Sequence, residues 1–159
     1  MPSRAKFTHQ PQAKVLLVDS HRAGLRARCM VLEEEGHEAT GVSSPDEALQ
    51  LLGTEKFGVI VTEYKLTGTT ATEFIAKLRE VAPGTPVILL SGYVDALGLS
   101  ERSTGADAVL MKSASEPKQL THTVSRMLRM KPAVARARKP AASDHAAPRQ
   151  TIRPTGTGR

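Results

Sequence analysis

Tryptophan is missing from the 159 residues, and Phe, Tyr and Trp together make up 3% of them. The core has to be aliphatic, and a sandwich of helices on a sheet built from Val, Ile, Leu and Ala suits that supply. Cysteine is nearly as scarce: the lone Cys29 excludes an internal disulfide and offers no metal-ligand spacing. It falls between Leu25 and Leu32 at helical intervals, which reads as a packed core thiol. No apolar run approaches the roughly 18 residues of a membrane span, and Met1 to Ala13 lacks the apolar stretch of a secretion signal. A cytoplasmic location is the expectation. A phosphate-cradling glycine loop and a nucleophile with its base are also absent, which argues against an enzyme.

Charge is present but unevenly placed. The net charge is +6, and residues 131–159 carry seven Lys or Arg against the single acid Asp144. Residues 1–130 are therefore balanced, and any attraction to an acidic partner belongs to the tail. Three segments follow: a polar lead-in over 1–13, expected to be disordered, a globular domain over 14–130, and a Pro, Ala, Arg and Lys-rich tail over 131–159, also expected to be disordered. The basic stretch Arg136-Ala-Arg-Lys-Pro140 suits phosphate neutralisation on a nucleic acid, though no interleaved aromatics support base stacking. A solubilising tail is the plainer alternative.

Within 14–130, short apolar runs alternate with helical patterns. The runs are Lys14–Val18, Glu38–Val42, Val59–Glu63, Val87–Leu90 and Ala108–Met111. Ser44-Pro-Asp-Glu47 has the form of a capping box with proline at the first helical position. Phe74, Ile75, Leu78 and Val81 mark one helix face and Leu120, Val124, Met127 and Leu128 another, while Tyr93 to Thr104 reads as one weak helix interrupted by Gly98. Alternation of this kind requires crossover connections, so the fold class is α/β with a parallel sheet covered by helices on both faces.

The polar residues at the ends of these runs carry the functional signal. Asp19 and Ser20 follow the first run, Glu63 closes the third, Ser91 follows the fourth and Lys112 the fifth. In a parallel sheet all of these ends lie along one edge, where open α/β proteins place their chemistry. His21 reads as a solvated helix-start histidine, since no spaced partner gives it a metal or triad role. Tyr93 is either a partner contact or a packing residue.

Residues 14–130 resemble the receiver domain of two-component response regulators. The matching segments are Val-Leu-Leu-Val-Asp19, Val59 to Gly68, Val87 to Ser91 and Gly105-Ala-Asp-Ala-Val-Leu-Met-Lys112. The resemblance implies a five-stranded doubly wound, flavodoxin-like sheet of order 2-1-3-4-5. It also implies an acidic pair after the first strand that holds Mg²⁺, and an aspartate ending the third strand that accepts a phosphoryl group from a histidine kinase. A hydroxyl after the fourth strand and a Lys after the fifth contact that group.

Asp19, Ser91 and Lys112 match this pattern, and other positions depart from it. The acceptor position holds Glu63 and the second acid of the pair is Ser20. Ser113 stands where proline is usual after the Lys, Val109 where the switch aromatic is usual, and Thr67 and Thr69-Thr70-Ala71 replace the usual loop. Mg²⁺ wants near-octahedral oxygen ligands, so a site reduced to Asp19 is weak and no cofactor is expected. Glu63 is one methylene longer than Asp and occupies space a phosphoryl group needs, and phosphoryl transfer depends on position. The expectation is a stand-alone receiver-like module that acts by protein contact, independently of phosphorylation, with a histidine kinase or downstream effector as partner. Glu63 then reaches toward Lys112 and Ser91 as a permanent carboxylate. The alternatives are a purely structural ion pair, residual phosphorylation, and a nucleic-acid-associated regulator using residues 131–159.

Overall fold

The computed structural model describes residues 13–137, with side chains as far as Met130. Strands β1 (Lys14–Val18), β2 (Glu38–Val42), β3 (Val59–Glu63), β4 (Val87–Ser91) and β5 (Ala108–Met111) form one parallel sheet of order β2-β1-β3-β4-β5. This is the fold class and strand order expected. The outer strands β2 and β5 are part-exposed, whereas every residue of β3 and β4 is buried. That difference explains why the central strands read as unbroken apolar runs.

Side chains alternate across the sheet and divide the core in two. Leu16, Val18, Ile60 and Leu89 face one layer with Ala48, Phe74, Ile75 and Leu78 from α2 (Pro45–Leu52) and α3 (Ala71–Val81). Val15, Leu17, Val61, Ile88 and Leu90 face the other, with Leu32 from α1 (Arg22–Glu34) and Leu120, Val124 and Met127 from α6 (Glu116–Ala137). Cys29 packs at the edge of this second layer, and burial followed by the nearby Glu33 raises its thiol pKa above the ordinary value. At β2, Gly41 leaves room for α1, because a Cβ there would lie 2.9 Å from Leu25 Cγ.

Helix ends follow local chemistry, with some departures from expectation. Gly36 turns the chain after α1 at φ 89, as a left-handed terminus requires. Ser44 caps α2 by accepting from the Glu47 amide, but the Glu47 carboxylate reaches the amide and hydroxyl of Ser43 instead of closing the box on Ser44. A full box is present at α3, where Thr70 accepts from the Glu73 amide and the Glu73 carboxylate accepts from the Thr70 amide.

The segment expected as one weak helix over Tyr93 to Thr104 is two short ones, α4 (Val94–Leu97) and α5 (Glu101–Thr104). Gly98 at φ 61 breaks the helix between them, and Ser100 restarts it as an N-cap. The final helix continues past the boundary expected at 130, to Ala137. Alanine and arginine in 133–137 favour helical backbone even where no apolar stripe exists. The expectations of disorder for 1–12 and 138–159 lie outside the described residues.

Candidate functional site

Parallel pairing brings the strand ends to one edge. The register sets Val18 beside Thr62, Glu63 beside Leu90, and Ser91 beside Met111, so Asp19, Glu63, Ser91 and Lys112 emerge at similar heights on four strands. Asp19, Glu63 and Ser91 are buried, while Ser20 is exposed and contributes no hydrogen bond to the site among the described residues.

Lys112 is the bridge. Its Nζ contacts Glu63 Oε2 and lies 3.7 Å from Asp19 Oδ2. Glu63 Oε2 is shielded from solvent, and its ion-pair partner is the Lys112 ammonium. Ser91 departs from the expected arrangement. Its Oγ accepts the Tyr93 amide at 3.0 Å and makes no hydrogen bond with Glu63. A serine beginning a turn is drawn to the amide two residues on, which holds the hydroxyl against its own loop. The Glu63 contact expected with both Lys112 and Ser91 is therefore present at Lys112 alone.

Two residues not singled out in the sequence complete the site. Arg28 on α1 donates from Nη1 to Asp19 Oδ2 at 2.7 Å, and its Nε and Nη2 donate to Glu116, the first residue of α6. The side chains of Arg28, Glu116 and Asp19 are 13%, 9% and 7% exposed, so this ion pair is shielded on both sides. Burial pulls the Arg28 guanidinium down, but Glu116, Asp19 and Glu63 outweigh it and raise its pKa above the ordinary value. The remaining Asp19 oxygen accepts the His21 amide at 2.8 Å.

Both residues left a faint signal. Arg28 stands four residues before Leu32 and three after Leu25, on the apolar stripe of its helix, and Glu116 stands four before Leu120. A charge placed within a buried stripe needs a partner. His21 is the N-cap of α1, its Nδ1 accepting the Gly24 amide at 3.1 Å. At the rim, Lys65 Nζ donates to the Tyr93 hydroxyl at 3.0 Å and lies 4.3 Å from the centre of its ring. This contact lowers the Tyr93 pKa and raises that of Lys65.

A doubly wound sheet whose C-terminal edge gathers acids, a serine and a lysine from separate strands is the architecture of a receiver module. The family model for the response regulator receiver domain matches residues 15–125, and the chain belongs to that family, which works in two-component systems. It is similar to the hydrogenase transcriptional regulatory protein HoxA of Cupriavidus necator, 39% identical over 84 residues, 53% of this chain and 17% of that protein. It is also 29% identical over 131 residues to the alginate biosynthesis transcriptional regulatory protein AlgB of Pseudomonas aeruginosa, covering 81% of this chain and 29% of that protein. The chain thus spans less than a third of either relative. Among solved structures, the CheY-like receiver domain protein of Methanospirillum hungatei matches with a TM-score of 0.69 at 27% identity, covering 77% of this chain and 98% of that one.

Proposed function

We propose that this receiver works without taking a phosphoryl group, acting in two-component signal transduction through protein contact. The observation that carries the reading is the contact of Lys112 with Glu63, where the end of β3 meets the end of the sheet's outer strand. In the family pattern the acceptor there is an aspartate that takes the incoming group. Here the acid is longer by a methylene, buried, and already on the ammonium. Transfer needs the acceptor oxygen exposed and aligned, and charge stabilisation in reserve for the transferred group. Both are committed in this pocket.

The partner in this reading is a histidine kinase or a downstream effector, in the cytoplasm, and the module itself turns nothing over. The printed descriptions of HoxA and AlgB as transcriptional regulators support a place upstream of gene control. Among the described residues no helix is long and apolar enough to cross a membrane. The basic stretch considered for nucleic acid, 131–159, lies beyond the described side chains. Its role is tested by salt-dependent binding of the full chain against a chain ending at 130.

Incubation with acetyl phosphate and Mg²⁺ followed by intact-mass measurement tests the reading directly. The expected result is no labile adduct. An adduct abolished by Glu63→Gln overturns the proposal, because it shows an acceptor that still works. Once a partner is captured with the full chain, Glu63→Ala and Lys112→Ala are expected to weaken its binding, and unchanged binding reduces the pair to a structural one.

A further inference from the structure

We infer that Arg28 is the built-in cation of the acidic pocket, standing in the protein where the family resemblance implies a divalent metal, and that it closes this receiver to Mg²⁺. Mg²⁺ demands near-octahedral oxygen ligands at about 2.0–2.1 Å and is held through one or two carboxylates together with water and phosphate. The residues present do not fit that demand. One Asp19 oxygen is on the His21 amide and the other on Arg28, with Lys112 3.7 Å away. Ser20 is exposed, and Glu63 is on Lys112. Among the described residues, no three His, Cys, Asp or Glu side chains are grouped to hold a metal ion.

The guanidinium is held there by design of the local chain. Side chains on a helix lean toward its N-terminus, so Arg28, in the second turn of α1, points back at the strand end that precedes the helix. Gly24, one turn earlier, leaves the path open, because a Cβ there would lie 3.0 Å from Arg28 Nη1 and 3.1 Å from His21 Nδ1. Glu116 grips the other side of the planar group. Asp19, Glu63 and Glu116 against Arg28 and Lys112 leave one formal negative charge, so little attraction remains for a dication. A dication would also be repelled by the nearby guanidinium, at contact range in a shielded site. A cleft of about 260 Å³ between α1 and α6 is bordered by Gly24, Arg28, Ser113 and Glu116.

The inference concerns the pocket's cation and stands whether or not Glu63 carries a signal. Metal titration reads the first question, and phosphoryl labelling with partner binding reads the second. The experiment is titration of the full ¹⁵N-labelled chain with MgCl₂ and MnCl₂, followed by amide shifts for Mg²⁺ and by paramagnetic broadening for Mn²⁺. In the unaltered protein the amides of His21, Tyr64 and Gly92 are expected to show no saturable change. Arg28→Ala is expected to gain Mn²⁺ binding at these amides, at least about tenfold tighter than the unaltered chain, once the repulsion is gone. If Arg28→Ala fails to fold, Arg28→Met with Glu116→Gln replaces it, since that pair keeps the side-chain volume and leaves no orphaned carboxylate on α6. Saturable Mg²⁺ binding by the unaltered protein as tight as by the variant overturns the inference. So does a folded variant that binds no better than the parent.

Discussion

Lys112 meets Glu63 although their strands are not neighbours, since β4 lies between β3 and β5. Two strand spacings come to about 10 Å, a span the long stem of lysine and the extra methylene of glutamate cover together. With Arg28 between Asp19 and Glu116, the edge becomes a chain of alternating charges that joins α1, β1, β3, β5 and α6.

Lys112→Ala leaves the buried Glu63 carboxylate without its cation. The expected loss is about 1–3 kcal/mol of stability, the usual consequence of orphaning a shielded charge. Glu63→Gln should cost less, because an amide tolerates burial better than a charge. Urea denaturation of the three proteins checks the order, and an unchanged midpoint for Lys112→Ala would show that solvent already satisfies Glu63.

Gly24→Val is expected to act through Arg28. The valine side chain occupies the space beside Nη1 and displaces the guanidinium from Asp19, at about 1–3 kcal/mol. Part of that loss should vanish in an Arg28→Ala background, where nothing remains to be displaced. Full additivity in the double-mutant cycle would disprove the link.

His37 supplies a pH dependence. It is buried after α1 with Nδ1 unpartnered, and burial lowers its pKa from the ordinary 6.5, against a smaller opposing pull from Glu35. The unfolded chain therefore binds a proton at a higher pH than the folded one, and stability rises with pH in that window. The contribution is present above about pH 6.5 and is lost as pH falls through the lowered folded value. Stability measured from pH 7.5 down to 5 should fall less steeply in His37→Phe than in the parent. Parallel profiles would remove His37 from the account.

Thr70→Ala should cost about 1 kcal/mol by removing the N-cap of α3. The same box lowers the Glu73 pKa, first through the Thr70 amide and then through the Thr69 hydroxyl. Titration of Glu73 by carboxyl NMR in Thr70→Ala should therefore move toward the ordinary carboxylate range. No movement would mean that the amide holds Glu73 without help from the cap.

Much of the fold was legible in the chain because its signals are local. Central strands are buried on both faces, so Val59–Thr62 and Val87–Leu90 read as unbroken apolar runs, and α3 shows its buried face at helical spacing. The ends of those runs also named Asp19, Glu63, Ser91 and Lys112, since strand ends of a parallel sheet share an edge whatever lies between them in sequence. Periodicity could not supply the partners of each charge. Arg28 and Glu116 are 88 positions apart and meet only because α1 and α6 cover the same face of the sheet. The hydroxyl of Ser91 was likewise decided by its own turn, and the break at Gly98 by a left-handed backbone that a weak helical pattern does not reveal. Hydrophobic order is written residue by residue along the chain. The pairing of buried charges depends on which helices the crossovers bring together, and that is settled only when the sheet is assembled.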